Sequence, residues 1–152
     1  MRKGLFAVLT ILSAMWFAGC SDKPGHYEFA GLDANVTLDS SEQKALADRV
    51  LRYWDARSRH DFESAYKIEL PYDRFLKPFE IYKAEGGSLY KGFHTQVMRM
   101  QFDPSDRRIA WVFREYRYDD KRLPMRSKWI RVNGTWYHKY NFSVFPQSGP
   151  LH

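Results

Sequence analysis

The strongest local constraint on this chain is the dipeptide Asn133-Gly134, which lies between Val132 and Thr135 in an aromatic and β-branched stretch. Both residues of the dipeptide tolerate positive φ angles, and the pair favours the two-residue turn of a β-hairpin. Such a turn pairs Val132 with Thr135 and thereby decides which side chains share a face. The side chains predicted to share the inner face are Met125, Ser127, Trp129, Arg131, Trp136, His138, Tyr140, Phe142 and Val144.

The chain from residue 91 onward has strand character in general. Aromatic and β-branched residues predict four strands at about 93–102, 107–118, 125–133 and 135–144. Residues 103–106 predict a turn and residues 119–122 a polar loop, so consecutive strands are joined by short connections. Strands connected in this way pair antiparallel.

The sequence leaves two possibilities for which side chains of the strand at 107–118 point to the inner face. Its strongest apolar trio would favour the inner face: Ile109, Trp111 and Phe113. A four-residue loop between Tyr118 and Leu123 instead places a second set on the face of Trp129: Ala110, Val112, Arg114 and Tyr116. Either facing leaves large apolar groups on the second face of the sheet, which predicts a homodimer or an envelope protein partner there.

Helices are predicted before the strands. Ser40 and Gln43 have the spacing of a capping box, which begins a helix that runs to about residue 59. Asp61 begins a second, shorter helix that ends near Pro71, and a third at about 74–84 is interrupted by Pro78. The predicted fold class is α+β, with N-terminal helices packed on a curved four-stranded antiparallel meander.

The N-terminus has the layout of a secretory signal: Arg2 and Lys3 precede a nearly continuous apolar run at 5–17. This run is shorter than the roughly 20 residues that a transmembrane helix needs. Cys20, the single cysteine of the chain, follows directly. Residues 17–20 (FAGC) resemble the lipobox of bacterial lipoproteins, although the first position is usually Leu. The resemblance implies cleavage before Cys20 and membrane attachment through acyl chains on that residue.

The lipoprotein resemblance also implies a location. Ser21 stands where lipoproteins retained at the inner membrane often carry Asp, so the enterobacterial sorting rule favours the periplasmic side of the outer membrane over the inner membrane. The predicted organisation is a signal at 1–19, the lipidated cysteine and a flexible linker at 20–39, one α+β domain at 40–145 and a tail at 146–152. Two of the six formal positive charges leave with the signal.

Three segments suggest a domain family. Residues 52–56 (RYWDA), 61–66 (DFESAY) and 128–137 (KWIRVNGTWY) resemble the NTF2-like (SnoaL-like) superfamily, over about residues 40–145. The resemblance implies a cone of helices on a curved sheet. The superfamily includes isomerase-like and cyclase-like enzymes as well as adaptor and accessory domains, so membership does not select a function.

His138 is the best titratable candidate on the predicted inner face, with Arg114, Glu115 and Tyr116 as neighbours that depend on the strand register. A histidine in an apolar pocket can act as a general acid or base. It can equally be a structural residue that bonds to a backbone carbonyl or a tyrosine. We therefore predict a non-catalytic binding or assembly module, with a small-molecule pocket enzyme that uses His138 as the alternative.

The sequence contains no motif for a metal site, a nucleotide-binding site or a catalytic nucleophile. The five histidines have neither HxH nor HxxxH spacing, and no nucleotide-binding fingerprint or nucleophile elbow occurs, so we expect no metal and no cofactor. Basic and aromatic residues alternate from Arg114 to Arg131. Export excludes nucleic acid as the expected partner, and these cations predict either a solvated face or attraction to anionic headgroups or an envelope polymer.

Overall fold

The computed structural model describes residues 28–86 and 94–140. The predicted signal, Cys20, Phe142, Val144 and the predicted tail lie outside these residues. The described elements, in chain order, are β1 (Glu28–Leu32), α1 (Ser41–Ser58), α2 (Phe62–Ile68), α3 (Pro71–Leu76), α4 (Phe79–Gly86), β2 (His94–Phe102), β3 (Ile109–Tyr118), β4 (Lys121–Val132) and β5 (Thr135–Lys139).

The prediction of a four-stranded antiparallel meander is wrong. The sheet has five strands in the order β1-β2-β3-β4-β5, and β1 is parallel to β2, whereas the later pairs are antiparallel. The additional strand, Glu28–Leu32, comes from the segment that the sequence pattern assigned to a linker. This strand is short and contains Gly31, so its sequence has no clear strand pattern. Its pairing partner is also more than sixty residues away in the chain, so no local signal predicts the pairing. The described residues therefore form an α+β fold with a mixed sheet.

The helix ends follow the local signals. The side chain of Ser40 accepts a hydrogen bond from the Gln43 backbone amide at 3.1 Å, and the Gln43 side chain accepts one from the Ser40 amide at 2.9 Å. This reciprocal pair confirms the predicted capping box. Asp61 caps α2 by accepting from the Ser64 amide at 3.1 Å. Pro78 separates α3 from α4, so the predicted third helix is two short helices.

The two hairpins decide which side chains face the helices. Val132 pairs with Thr135, as the Asn133-Gly134 turn predicts, and both turn residues have positive φ angles of 48° and 81°. Tyr118 pairs with Lys121, so the connection from β3 to β4 has two residues and not the predicted four. Both lengths give the same facing because they differ by an even number of residues.

The resulting register turns alternate residues of β3 toward the helices. Ala110, Val112, Arg114 and Tyr116 are at most 6% exposed, whereas Ile109, Trp111 and Phe113 lie on the other face and are half-buried. The core between α1, α2, α4 and the sheet is built from Leu46, Val50, Tyr53, Trp54, Ala56, Phe62, Ala65, Ile68, Tyr82, Val97, Ala110, Val112, Trp129 and Trp136.

Candidate functional site

The junction between α2 and β5 brings a carboxylate to His138. Glu69 ends α2 in an extended conformation and forms a parallel bridge with His138 of β5. The backbone amide of Leu70 donates to the His138 carbonyl oxygen at 2.8 Å. The backbone and the side chain of His138 are therefore both held by the same two-residue segment.

Glu69 links two aromatic side chains through its carboxylate. The Nδ1 atom of His138 lies 2.8 Å from Oε2 of Glu69 in hydrogen-bonding contact, and the Tyr53 hydroxyl donates to Oε1 at 2.5 Å. Glu69 is 1% exposed, Tyr53 2% and His138 8%. A buried carboxylate requires such compensation because its loss of hydration is costly. We call Tyr53, Glu69 and His138 the buried triad.

Aromatic rings enclose the His138 side chain of the buried triad. The Tyr53 ring stacks on the imidazole with 4.4 Å between the ring centroids. Trp129 and Trp54 approach with their rings nearly perpendicular, at 5.3 Å and 5.8 Å. Three aromatic rings therefore pack against the imidazole, and the residue is 8% exposed.

A second tyrosine and an arginine extend the buried triad into the helical layer. The Tyr82 hydroxyl lies 3.4 Å from the Tyr53 hydroxyl, and the guanidinium carbon of the buried Arg57 lies 5.1 Å from the Tyr82 ring centroid. Burial, followed by the negative charge of Glu69, raises the pKa of Tyr53 well above its usual value. Burial also raises the pKa of Tyr82, although the charge of Arg57 opposes this. Both hydroxyls are therefore protonated at neutral pH.

Arg114 and Tyr116 form a separate cluster on the same face of the sheet. The Nη1 atom of Arg114 donates to the Tyr116 hydroxyl at 2.7 Å, and the guanidinium carbon lies 3.3 Å from the Trp54 ring centroid. Arg114 is 5% exposed, and its Nε atom has no hydrogen-bond partner. Trp54 lies between this cluster and His138, because its ring contacts both side chains. The cation–π contact compensates part of the cost of burying the charge.

Glu115 lies apart from the other three candidates from the sequence. It faces the opposite side of the sheet, where its carboxylate accepts from Arg117 at 2.5 Å and lies 3.9 Å from Arg122. The structure thus places His138, Arg114 and Tyr116 on one face and Glu115 on the other.

Glu69 is the residue that sequence reasoning missed. It is an isolated acidic residue between Ile68 and Leu70, two positions before Pro71. An acidic residue in such an apolar setting at the end of a short helix is a candidate for a buried, partnered carboxylate. Its partners lie 16 and 69 residues away, so no spacing rule identifies them.

One surface depression within the described residues lies away from His138. A shallow depression of about 450 Å³ lies between β1 and α1 and is lined by Phe29, Ala30, Gly31, Leu51, Arg52 and Asp55. Within residues 28–86 and 94–140, no three side chains of the metal-binding types come together. No helix in this part of the chain is both long enough and apolar enough to span a membrane.

Comparison with known proteins identifies no family for this chain. No family model matches the sequence, and no curated protein matches it. Among solved structures, the chain is similar to a SEC-C motif containing protein from Rhodopseudomonas palustris, with 15% sequence identity and a TM-score of 0.46. The similarity covers 66% of this chain and 80% of that protein. At this level the likeness carries no argument about fold or function.

Proposed function

We propose that this chain is a lipid-anchored protein of the periplasmic membrane surface whose folded domain acts as a non-catalytic binding or assembly module. The observation that carries the proposal is a group of exposed apolar side chains on α3 and α4: Tyr72 at 63% exposure, Phe75 at 83%, Leu76 at 50% and Ile81 at 50%. We call these four residues the apolar helix patch. Tyr72, Phe75 and Leu76 have i, i+3 and i+4 spacing on α3 and therefore share one face of that helix. Exposed apolar surface of this kind is typical of protein interaction sites.

The closed surroundings of His138 support the same proposal. General acid or base catalysis requires that the catalytic nitrogen reaches the substrate within hydrogen-bonding distance. The His138 side chain is 10% exposed, its Nδ1 contacts Glu69, and three aromatic rings cover it. These contacts stabilise the join between α2 and β5. The contacts of His138 are therefore explained by a structural role at this join, without a substrate.

The anchor is tested by replacing its attachment point. In cells supplied with radiolabelled palmitate, the native chain is expected to incorporate label and to sediment with membranes. The Cys20→Ser variant is expected to lose both properties, because acyl chains attach through that thiol and a single tether holds the domain at the bilayer. Ser21→Ala is the matched control. Label and membrane retention that survive Cys20→Ser would refute the lipoprotein proposal.

The module is tested by a photo-crosslinking amino acid at position 75 in living cells. Phe75 is 83% exposed and belongs to the apolar helix patch, so we expect a discrete adduct with one envelope protein. The control position is Lys67, whose side chain is 65% exposed and paired with Glu63. Adducts at position 75 that are no stronger than those at position 67 would contradict the proposal. An adduct of twice the chain mass would identify the partner as a second copy.

A small-molecule enzyme that uses His138 is the second candidate, favoured by the 2.8 Å contact between His138 and Glu69. The two candidates differ in whether reagents reach the imidazole. In diethyl pyrocarbonate modification, a structural His138 is expected to react far more slowly than His94, whose side chain is 60% exposed. Similar rates for the two histidines in the folded protein would favour the enzyme.

A further inference from the structure

The outward face of the sheet carries three cations on two aromatic rings. The guanidinium carbon of Arg99 on β2 lies 4.2 Å from the Phe113 ring centroid. On β4, the guanidinium carbon of Arg126 and the Nζ atom of Lys128 lie 5.1 Å and 5.6 Å from the Trp111 ring centroid. We call these five residues the cationic sheet face.

The three cations differ from most basic residues nearby because no carboxylate of the described residues pairs with them. Arg107 and Arg131 both pair with Glu42, and Arg117 and Arg122 with Glu115. At one end of the cationic sheet face, Asp103 accepts a hydrogen bond from the Trp111 indole at 3.4 Å. The charges of Asp103 and Asp106 both act on Lys128, and Asp106 is itself paired with Arg108. The three cations of the face therefore outnumber the carboxylates that act on them, and the face is net positive.

We propose that the cationic sheet face docks on an anionic phospholipid surface, an inference that rests on the proposed lipid anchor. Each Lys or Arg near an anionic bilayer contributes about 1 kcal/mol of attraction. The partly buried Trp111 is of the residue type that favours the headgroup level of a bilayer. A surface of unpaired cations around an indole thus complements phosphate headgroups in both charge and polarity.

The length of the tether permits this contact. Residues 21–27 separate Cys20 from the start of β1, and an extended chain of that length reaches roughly 25 Å at about 3.5 Å per residue. From β1 to β4 the sheet advances by three strand spacings, which is about 14 Å. An anchor at Cys20 therefore leaves the cationic sheet face within reach of the same bilayer.

Charge also argues against a second copy of the chain on this face. A twofold symmetric dimer places the same patch of each protomer against its partner. It would bring Arg99, Arg126 and Lys128 of both copies together, and like charges across an interface oppose association. The dimer through the sheet that the sequence suggested is therefore disfavoured on this face.

Tryptophan quenching in vesicles tests the proposal. Trp54, Trp129 and Trp136 are at most 5% exposed, so a quencher on lipid headgroups reports mainly Trp111. The mature lipoprotein, reconstituted through its own anchor, is expected to be quenched in phosphatidylcholine vesicles that contain phosphatidylglycerol. It is expected to remain unquenched in pure phosphatidylcholine. High salt should reverse the quenching because it screens the attraction. A Trp111→Phe variant supplies the blank.

Charge removal gives the decisive comparison. The Arg99→Gln, Arg126→Gln, Lys128→Gln triple variant is expected to lower the ratio of docked to undocked protein on the order of a hundredfold. The matched control is Arg52→Gln, Arg59→Gln, Lys67→Gln, which removes three exposed cations from the helical side and should leave quenching unchanged. Circular dichroism establishes that both variants are folded.

The outcomes separate this inference from the lipid anchor. If the chain is not lipidated, it will not incorporate into vesicles at all. If it incorporates but Trp111 is not quenched on anionic vesicles, or if both triple variants behave alike, the docking proposal is wrong. Binding of soluble polyphosphate through Arg99, Arg126 and Lys128 without quenching on vesicles would assign the face to an anionic polymer and would also overturn the proposal.

Discussion

Glu69 uses both carboxylate oxygens, one toward Tyr53 and one toward His138, in a position that is 1% exposed. Glu69→Ala leaves both partners without their acceptor, and we expect the free energy of unfolding to fall by about 3 kcal/mol. Urea denaturation measures this difference. Glu63→Ala, at a carboxylate whose side chain is 72% exposed, should change it by less than about 0.5 kcal/mol. Equal effects at both positions would show that the buried triad contributes nothing specific.

Gly86 at the end of α4 is required for packing. A β-carbon at this position would lie 2.7 Å from Cε1 of Phe62 and 3.0 Å from Nη1 of Arg57. Phe62 is itself buried, so its ring has little room to move. We expect Gly86→Ala to lower the free energy of unfolding by about 1–3 kcal/mol. With free space, alanine would instead stabilise the helix by up to about 1 kcal/mol, so the sign of the change in a thermal or urea melt decides the matter.

The N-terminus of α1 depends on its capping box. Ser40→Ala removes the acceptor for the Gln43 amide, and we expect a loss of about 1 kcal/mol in the free energy of unfolding. Ser41→Ala is the matched control, because Ser41 is exposed and is the first residue of the helix. A chemical denaturation midpoint that shifts equally for both variants would contradict the capping role of Ser40.

Elements with local signatures are the ones that the sequence predicts. The capping box relates residues three positions apart and the Asn133-Gly134 hairpin relates adjacent residues, so both are readable from the chain. The same hairpin correctly placed His138 on the inner face. β1 has no such signature because its pairing with β2 joins distant segments, and Glu69 meets His138 for the same reason. The β1–β2 pairing and the Glu69–His138 contact both join segments that are distant in the chain. Hydrophobic periodicity reports only local structure and therefore does not predict either of them.

The protein as a whole is expected to lose stability at alkaline pH. Burial raises the pKa of Tyr53 and of Tyr82 above the value of about 10 in an unfolded chain. Above this pH the unfolded state releases protons that the folded state keeps, so the free energy of unfolding decreases as pH rises. Below about pH 10 the contribution of both groups is fully present.

Urea unfolding at several pH values between about 9 and 11 measures this dependence. Tyr53→Phe is expected to make the decrease above about pH 10 less steep, because one shifted group is removed. The control is Phe75→Leu at a non-titrating residue that is 83% exposed, and it should leave the slope unchanged. A free energy of unfolding that stays constant over this range would show that the buried hydroxyls ionise as easily in the folded chain as in the unfolded one.

The position of the parallel strand β1 in the chain affects the order in which the strands of the sheet form. The strands β2 to β5 are joined by short turns, so their pairing closes small loops, whereas β1 must return to β2 across all four helices. Closing a longer loop costs more chain entropy and slows folding. We therefore expect the meander and its helices to assemble first and β1 to join last. Until then, β1 lacks its partner strand, so a variant that weakens the pairing of β1 with β2 should leave the remaining four strands able to fold.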